Sequence, residues 1–221
     1  MSDGFLEITS SDAEIKKIIM QQIADDLNSS FLAIAEDIRK NIKPVIYNAI
    51  HECYEMQALR GPYLRGSLGL TSSQATQASQ KISEVVSDSV IIQTKAVTAN
   101  NLSAGLQILI QPEDYANVLS ISQAVVSYRS RRFKRTIDLP WLDWLLTKGD
   151  QILVSGFEFQ PGGNLGRSRT GRMAETPSGS WRVSPEYSGT KGDNFITRSF
   201  DNRTQSQITK IVQKAVNKRL K

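Results

Sequence analysis

The stretch from Asp12 to Arg60 decides the fold: DAEIKKIIMQQIADDLNSSFLAIAEDIRKNIKPVIYNAIHECYEMQALR. Its apolar residues recur every three or four positions, which is the periodicity of one face of an α-helix. They are Ile15, Ile18, Ile19, Ile23, Leu27, Phe31, Ile34, Ile38, Ile42, Val45, Ile46, Ala49 and Ile50. A helix of this length would be a rod of about 65–70 Å. One small domain cannot cover such a rod, so we expect part of the stripe, with Ile23 and Leu27, to pack on another subunit.

The ends of this helix carry recognisable signals. Ser11 and Glu14 have the spacing of a capping box at the N-terminus. Pro44 predicts a kink or a division near Ile42, because proline cannot donate a helical hydrogen bond. Gly61 and the proline after it predict the C-terminal end.

The elements after residue 61 are predicted to be short and locally connected. In chain order we expect a short exposed helix at 71–81, strands at 90–97 and 106–110 joined by a turn at 100–101, a short helix from 112, a helix at 140–148, a strand at 151–159, a long loop at 161–180, a brief strand at 181–183, and a final helix at 193–220. This order favours an α+β fold with a small antiparallel sheet and flanking helices. We divide the chain into a helical segment, 1–60, and an α+β domain, 61–221. Trp141, Trp144 and Trp181 are predicted to be core anchors.

The composition excludes several kinds of chemistry. The chain has 221 residues, with a single cysteine, Cys53, and a single histidine, His51. One cysteine forms no intramolecular disulfide, and the pair is too small for a Cys-rich zinc site. Residues two apart on a helix face different sides, so we expect His51 to be structural. The glycine-rich stretch 162–172 lacks the Gly-Lys-Ser/Thr ending of a phosphate loop. We therefore expect no catalytic centre, metal or cofactor.

Nothing in the sequence points to a membrane. No apolar run approaches the roughly 18–20 residues of a membrane span. The first five residues lack the basic and apolar regions of a signal peptide. The expected location is therefore the cytoplasm or, for a viral protein, the virion.

Charge is distributed unevenly along the chain. Residues 1–60 carry 6 Lys/Arg against 10 Asp/Glu, net −4, whereas residues 121–221 carry 18 against 8, net +10. Such asymmetry is typical of contact with nucleic acid or an acidic partner. It also suits self-association, in which the acidic part of one copy meets the basic part of the next. The remaining interpretation is two solvated faces of a monomer.

Two arginine-rich segments are the candidate contact sites. The first places five cations in seven residues, at Arg129, Arg131, Arg132, Lys134 and Arg135, and the second lies in 161–182 with Arg167, Arg169 and Arg172. Crowded like charges favour an anionic partner. Guanidinium groups bind carboxylate and phosphate alike, so the partner is either an acidic surface of a neighbouring chain or DNA. A solvated loop is the third interpretation. We predict that subunit contacts dominate and that DNA contact is secondary.

Motifs in the second half of the chain resemble a known family. In order they are WLDWLLTKGD (141–150), SRTG (168–171), WRVSPEYSGT (181–190) and DNFITR (193–198), preceded by YLRGSLGL (63–70). Together they resemble neck and tail-completion proteins of tailed bacteriophages, particularly contractile-tailed ones, over roughly residues 45–215. The stretch 71–81 and the long first helix depart from that pattern.

The resemblance implies a structural virion protein of the phage neck, without a catalytic centre. Such a protein forms a hexameric or dodecameric ring that joins the head connector to the tail and helps to complete the tail. Its implied partners are copies of itself, a portal-associated protein on the head side, tail terminator, tube or sheath proteins, and secondarily DNA in the lumen. It would assemble in the host cytoplasm and reside in the virion. The alternative is a nucleic-acid-binding protein, without sequence specificity, that uses the basic second half.

Overall fold

The computed structural model describes residues 11–111, 114–129, 134 and 136–219. Its helices are α1 (Asp12–His51), α2 (Tyr54–Arg60), α3 (Pro62–Ser67), α4 (Ser72–Asp88), α5 (Ala116–Leu119), α6 (Trp141–Thr147), α7 (Phe195–Arg198) and α8 (Asn202–Arg219). Its strands are β1 (Ile91–Lys95), β2 (Gly105–Leu109), β3 (Val126–Arg129), β4 (Thr136–Leu139), β5 (Val154–Pro161) and β6 (Gly171–Trp181), and a 3₁₀ turn covers Ser122–Ala124. The predicted α+β fold class is confirmed.

Helix α1 begins as predicted and continues past Pro44 as one helix. Ser11 Oγ accepts a hydrogen bond from the Glu14 backbone N–H at 3.3 Å, and the Glu14 carboxylate accepts from the Ser11 N–H at 2.8 Å. Pro44 lies inside the helix, so the prediction that it divides the helix is wrong. Pro44 and Lys40, whose carbonyl loses its helical donor, are both exposed, and water can hydrate that carbonyl.

Helix α1 ends at His51, nine residues earlier than predicted, because side chains from α2 take over its last carbonyls. Arg60 Nη1 donates to the His51 carbonyl at 2.9 Å and to Ser79 Oγ at 2.8 Å. Gln57 Nε2 donates to the Glu52 carbonyl at 2.7 Å. Carbonyls at a helix end need partners outside the helix, and these side chains hold the corner between α1, α2 and α4.

Helix α4 is longer and more buried than the exposed helix predicted at 71–81. A capping box of Thr71 and Gln74 starts it, and it continues seven residues beyond the predicted end, to Asp88. Its buried face alternates small residues, which allow close packing, with two branched aliphatic ones, and consists of Ala75, Ala78, Ser79, Ile82, Ser83, Val86 and Ser87. Ser83 donates back to the Ser79 carbonyl at 2.8 Å, which satisfies a buried hydroxyl within the helix.

The strands form three separate antiparallel hairpins: β1–β2, β3–β4 and β5–β6. Strand β1 pairs with β2 from Ile91 opposite Leu109 to Lys95 opposite Gly105, near the positions predicted. The long loop predicted at 161–180 is wrong, since residues 171–181 form β6 and only 162–170 connect it to β5. Its glycine- and serine-rich composition has low strand propensity, and the pairing partner β5 supplies the order.

The predicted C-terminal helix is in fact two helices. Asn194 caps the start of α7, which ends at Arg198 with Ser199 as its C-cap. Asp201 then accepts a hydrogen bond from the Thr204 backbone N–H at 2.8 Å and so starts α8. Short polar residues that bond to nearby backbone N–H groups favour helix starts over helix interiors.

One hydrophobic cluster joins α1 to the rest of the chain. Ile34, Ile38, Ile42, Ile46 and Ile50 are fully buried on α1 and lie in the same cluster as buried residues of α4, α6 and α7. The final helix α8 also packs along α1, through Ala215 and its half-buried neighbours. Helix α6 is formed as predicted, with Trp141 completely buried and Trp181 nearly so, whereas Trp144 is half-buried against the Trp181 ring.

Candidate functional site

The first twelve residues of α1 have no buried side chain. We call residues 12–23 the arm; the first buried residue of α1 is Ala24. Within the arm, Ile18 is 65% exposed, Ile19 53% and Ile23 39%. Leu27, the second residue predicted at an interface, is half-buried. Isolated exposed apolar residues are common, but neighbouring ones on one helix face are typical of a contact surface.

Helix α1 is attached to the body of the protein at Asn28, five residues after the end of the arm. The Asn28 side chain accepts a hydrogen bond from the Val97 N–H at 2.8 Å and donates to the Val97 carbonyl at 3.0 Å. This two-sided amide contact fixes α1 to the segment that follows β1. This attachment fixes the position from which the arm extends and its direction.

The arginines of the second predicted segment have different environments. The Arg167 guanidinium donates to the Ser127 carbonyl at 3.2 Å and to the Gly69 carbonyl, so this residue holds the 162–170 connection against β3. Arg169 and Arg172 are exposed, in that connection and on β6 respectively. Arg167 is exposed too, but its guanidinium is already bonded to these two backbone carbonyls.

The first predicted segment is described only in part. The backbone of Arg129 pairs with Thr136 at the end of the β3–β4 hairpin. Lys134 is exposed in the connection between the two strands. Arg131, Arg132 and Arg135 lie outside the described residues.

A second basic surface, not predicted from the sequence, lies on α8. Arg203, Lys210 and Lys214 are exposed and spaced seven and four apart, so they share one helix face. Within the described part of the chain, none of the three forms an ion pair with a carboxylate. The spacing of these three residues is present in the sequence, but the cluster of basic residues at the end of the helix made a separate basic face hard to recognise. Those final cations, Lys218 and Arg219, bind Asp37 of α1 at 3.2 Å.

An open cleft of about 1030 Å³ lies between the second half of α1 and the start of α8. Val45 and Ala49 of α1 and Ile211 of α8 are half-buried within it, and Arg203 and Lys210 are exposed at its rim. This cleft could not be predicted from the sequence, because Val45 and Ala49 belong to an apolar stripe that predicts continuous burial.

An ion pair between a buried carboxylate and an exposed arginine lines the cleft. The Glu55 carboxylate, 6% exposed, lies 2.7 Å from Arg198 Nη2. Arg198 also contacts Asp193 at 3.4 Å and donates to the Ser188 carbonyl. A buried charge is stable only with such partners, so this pair joins α2 to α7 and is already satisfied without a ligand.

The cleft does not have the features of a reaction centre. Cys53 lies in its wall, and burial raises the pKa of the thiol to about 11, which leaves it protonated and weakly nucleophilic at neutral pH. His51 stacks on Tyr47, and its Nε2 lies 3.3 Å from Arg60. The described residues include no group of three or more His, Cys, Asp and Glu side chains that could hold a metal ion.

The residues of the sequence motifs at 141–150 and 193–198 are structural. Trp144 packs edge-on against Trp181, with ring centroids 5.5 Å apart. Asn194 is fully buried; its Oδ1 accepts from the backbone N–H groups of Ile196 and Thr197, and its Nδ2 donates to the Tyr115 hydroxyl. These motifs therefore specify the scaffold rather than a binding surface.

Comparisons with known proteins add no further constraint. Searches of protein-family models, of curated proteins and of solved structures found no match to this chain. In the part of the chain that the structure describes, no helix is long and apolar enough to cross a membrane.

Proposed function

We propose that this chain is a structural protein of the tailed-phage neck, which assembles into a ring that joins the head connector to the tail and helps to complete the tail. The observation that carries the proposal is the arm, an apolar helix face with Ile18 and Ile19 more than half exposed. A soluble monomer gains nothing from such a face, whereas a subunit gains from burying it on its neighbour.

Three further observations support an assembly protein. The acidic first quarter and the basic second half suit contacts between unlike surfaces of successive copies. The cleft wall contains a protonated cysteine and a satisfied ion pair rather than an activated group. Several residues of the motifs that resemble neck proteins, among them Trp141, Trp181 and Asn194, are buried, as expected for residues that a family shares through its fold. Identification with the phage neck itself rests on that resemblance.

Nucleic-acid binding is the second candidate function. The basic face of α8, with Arg203, Lys210 and Lys214, and the exposed Arg169 and Arg172 are the observations that favour it. Lysine and arginine on one face neutralise phosphates and make the affinity depend steeply on salt. Such binding would not require the exposed isoleucines of the arm.

Light scattering coupled to size-exclusion chromatography, at 50 mM and 500 mM salt, separates the two functions. We expect a discrete oligomer from the full chain, and its mass identifies the ring. A parallel titration with duplex DNA measures the competing activity. A chain that stays monomeric and binds duplex with a steep salt dependence would establish the second function instead.

The same assay tests the predicted role of the arginine segments. Arg131→Glu with Arg132→Glu should weaken the oligomer without unfolding the subunit, and Lys95→Glu with Lys191→Glu, an equal charge reversal at exposed positions outside the arm and both arginine segments, serves as the control. If this variant assembles normally but loses the duplex affinity of the wild type, DNA is the partner of that segment.

A further inference from the structure

Two exposed cations have a backbone conformation that their residue types rarely adopt. Lys134, in the connection between β3 and β4, has a φ of 51°, and Arg169, in the connection between β5 and β6, has a φ of 57°. This left-handed region is unfavourable for residues with a Cβ atom, so hairpin connections usually place glycine or asparagine there. Residues that are held in such a conformation cluster at sites of ligand contact.

The Arg167 side chain holds the second connection beside the first hairpin. Its Nη1 donates to the Ser127 carbonyl of β3 at 3.2 Å, and its Nη2 donates to the Gly69 carbonyl. Ser127 lies two residues before the end of β3 at Arg129, which is about 7 Å along the strand. Arg169 lies two residues after Arg167. The two connections, distant in sequence, therefore occupy neighbouring parts of the surface.

The two connections carry only positive charge. Their sequences are SRRFKR (130–135) and GGNLGRSRT (162–170), with six basic residues and no Asp or Glu. The carboxylates of the two hairpins lie on the strands, at Asp138, Glu158 and Glu175. Within the described part of the chain, neither Lys134 nor Arg169 forms an ion pair. Exposed cations without counter-charges favour a polyanionic partner.

The shape of these elements suits duplex DNA. Each connection ends a two-stranded antiparallel hairpin, and a two-stranded β-ribbon fits the major groove of B-DNA. Cations on adjacent loops can then contact successive phosphates of the backbone. A second copy of the chain is a poorer match, because its arm carries Lys16 and Lys17 close to Asp12 and Glu14.

We infer that Lys134 and Arg169 bind the phosphate backbone of duplex DNA, and that Arg167 is a positioning residue that aligns the two connections for this contact. The Arg167 guanidinium is itself occupied by backbone carbonyls. This inference goes beyond the proposed function, since a ring subunit can bind DNA as well as its neighbours. For these two cations it places DNA before a subunit contact.

The test is a titration of the full chain with a labelled duplex at several salt concentrations. The contact variant carries Lys134→Asn and Arg169→Asn, which remove two charges and suit the left-handed backbone. The control carries Lys95→Gln and Lys191→Gln, which remove two charges at exposed positions outside both hairpins. A third variant, Arg167→Lys, keeps the charge but lacks the planar fork that bridges two carbonyls.

The salt dependence of the affinity counts the phosphate contacts. We expect the wild type and the control to give the same steep slope of log Kd against log salt. The contact variant should lose at least about tenfold in affinity, and its slope should fall by about two, since each phosphate contributes about 0.9. Its urea midpoint should equal or exceed that of the wild type, because asparagine suits the backbone. Arg167→Lys should also reduce the slope, although the net charge is unchanged.

Other outcomes overturn the inference. If the wild type does not bind duplex, or the contact variant binds it equally well, Lys134 and Arg169 do not contact DNA; a contact variant that instead fails to assemble would identify a subunit as their partner. An equal loss in the control would show attraction by net charge alone. A lower urea midpoint of the contact variant would show that the two side chains hold the fold. An unchanged slope for Arg167→Lys would remove its positioning role.

The proposed function is tested separately by light scattering of the wild type. A monomer that binds duplex through these residues would contradict the proposed function and leave the inference standing. An oligomer that does not bind duplex would do the reverse.

Discussion

Replacement of Asn194 by alanine tests how much burial increases the contribution of a helix cap to the free energy of unfolding. Asn194 has no exposed surface, and all its hydrogen bonds are internal. Its Oδ1 accepts from Ile196 N at 3.0 Å and from Thr197 N at 3.3 Å, while its Nδ2 donates to Tyr115 Oη at 2.9 Å. Alanine removes these contacts and leaves the backbone N–H groups inside the protein, away from water.

The expected cost follows from two contributions. Loss of an N-cap side chain costs about 1 kcal/mol. A buried donor left without an acceptor costs about 1–3 kcal/mol more. We therefore expect Asn194→Ala to lower the free energy of unfolding by about 3 kcal/mol. Thr71→Ala is the matched control, because Thr71 forms the same kind of capping box with Gln74 at an exposed helix start, where water replaces the lost bond. It should cost about 1 kcal/mol.

Urea unfolding at one fixed protein concentration measures both variants, and unchanged slopes ensure that the same transition is compared. A fixed concentration is required because self-association adds to apparent stability. If Asn194→Ala and Thr71→Ala lower stability equally, water reaches the start of α7 and the argument from burial is refuted.

Three more predictions concern the core, the C-terminal helix and the cleft. Trp141→Ala should cost about 3–5 kcal/mol in the same urea assay, and Trp144→Ala clearly less, because only Trp141 is completely buried. Hydrogen bonds from Lys218 and Arg219 lower the pKa of Asp37, so its stabilising effect is complete above its ordinary value of about 3.9 and is lost as pH falls through the lowered value. Circular dichroism from pH 5 to pH 2 should show this loss in the wild type and not in Asp37→Asn. Cys53 should react slowly with a thiol reagent at pH 8 compared with free cysteine, because its pKa is raised to about 11.

The parts of the fold that sequence could predict are those that depend on local chemistry. The apolar period of α1, its capping box, the helix at 141–147 and the β1–β2 hairpin all follow from neighbouring residues. The predictions were wrong where contacts between residues far apart in the sequence determine the structure. Helix α1 stops at His51 because Arg60 and Gln57 take its final carbonyls, and β6 is ordered because β5 pairs with it.

The candidate site shows the same limit. The excess length of α1 correctly indicates apolar surface that the subunit leaves uncovered, since Ile18 and Ile19 are exposed. Of the two residues predicted at an interface, Ile23 is 39% exposed and Leu27 is half-buried. The cleft could not be predicted because it forms only when α8 packs on α1. Composition alone also could not distinguish Arg167, whose guanidinium binds backbone carbonyls, from Arg169.

The continuity of α1 has a mechanical consequence. No glycine or proline lies between Asp12 and Ile34, so the free end and the core are parts of one stiff lever without a hinge. The lever extends about 33 Å beyond Ile34, and a tilt of about 5° at the core would swing its tip by about 3 Å. Packing around Ile34 and Ile38 thus sets the direction in which the arm extends from the core. In the proposed ring, a substitution in that packing that left the fold intact would still change the angle between neighbouring copies, and that angle would determine whether the ring closes.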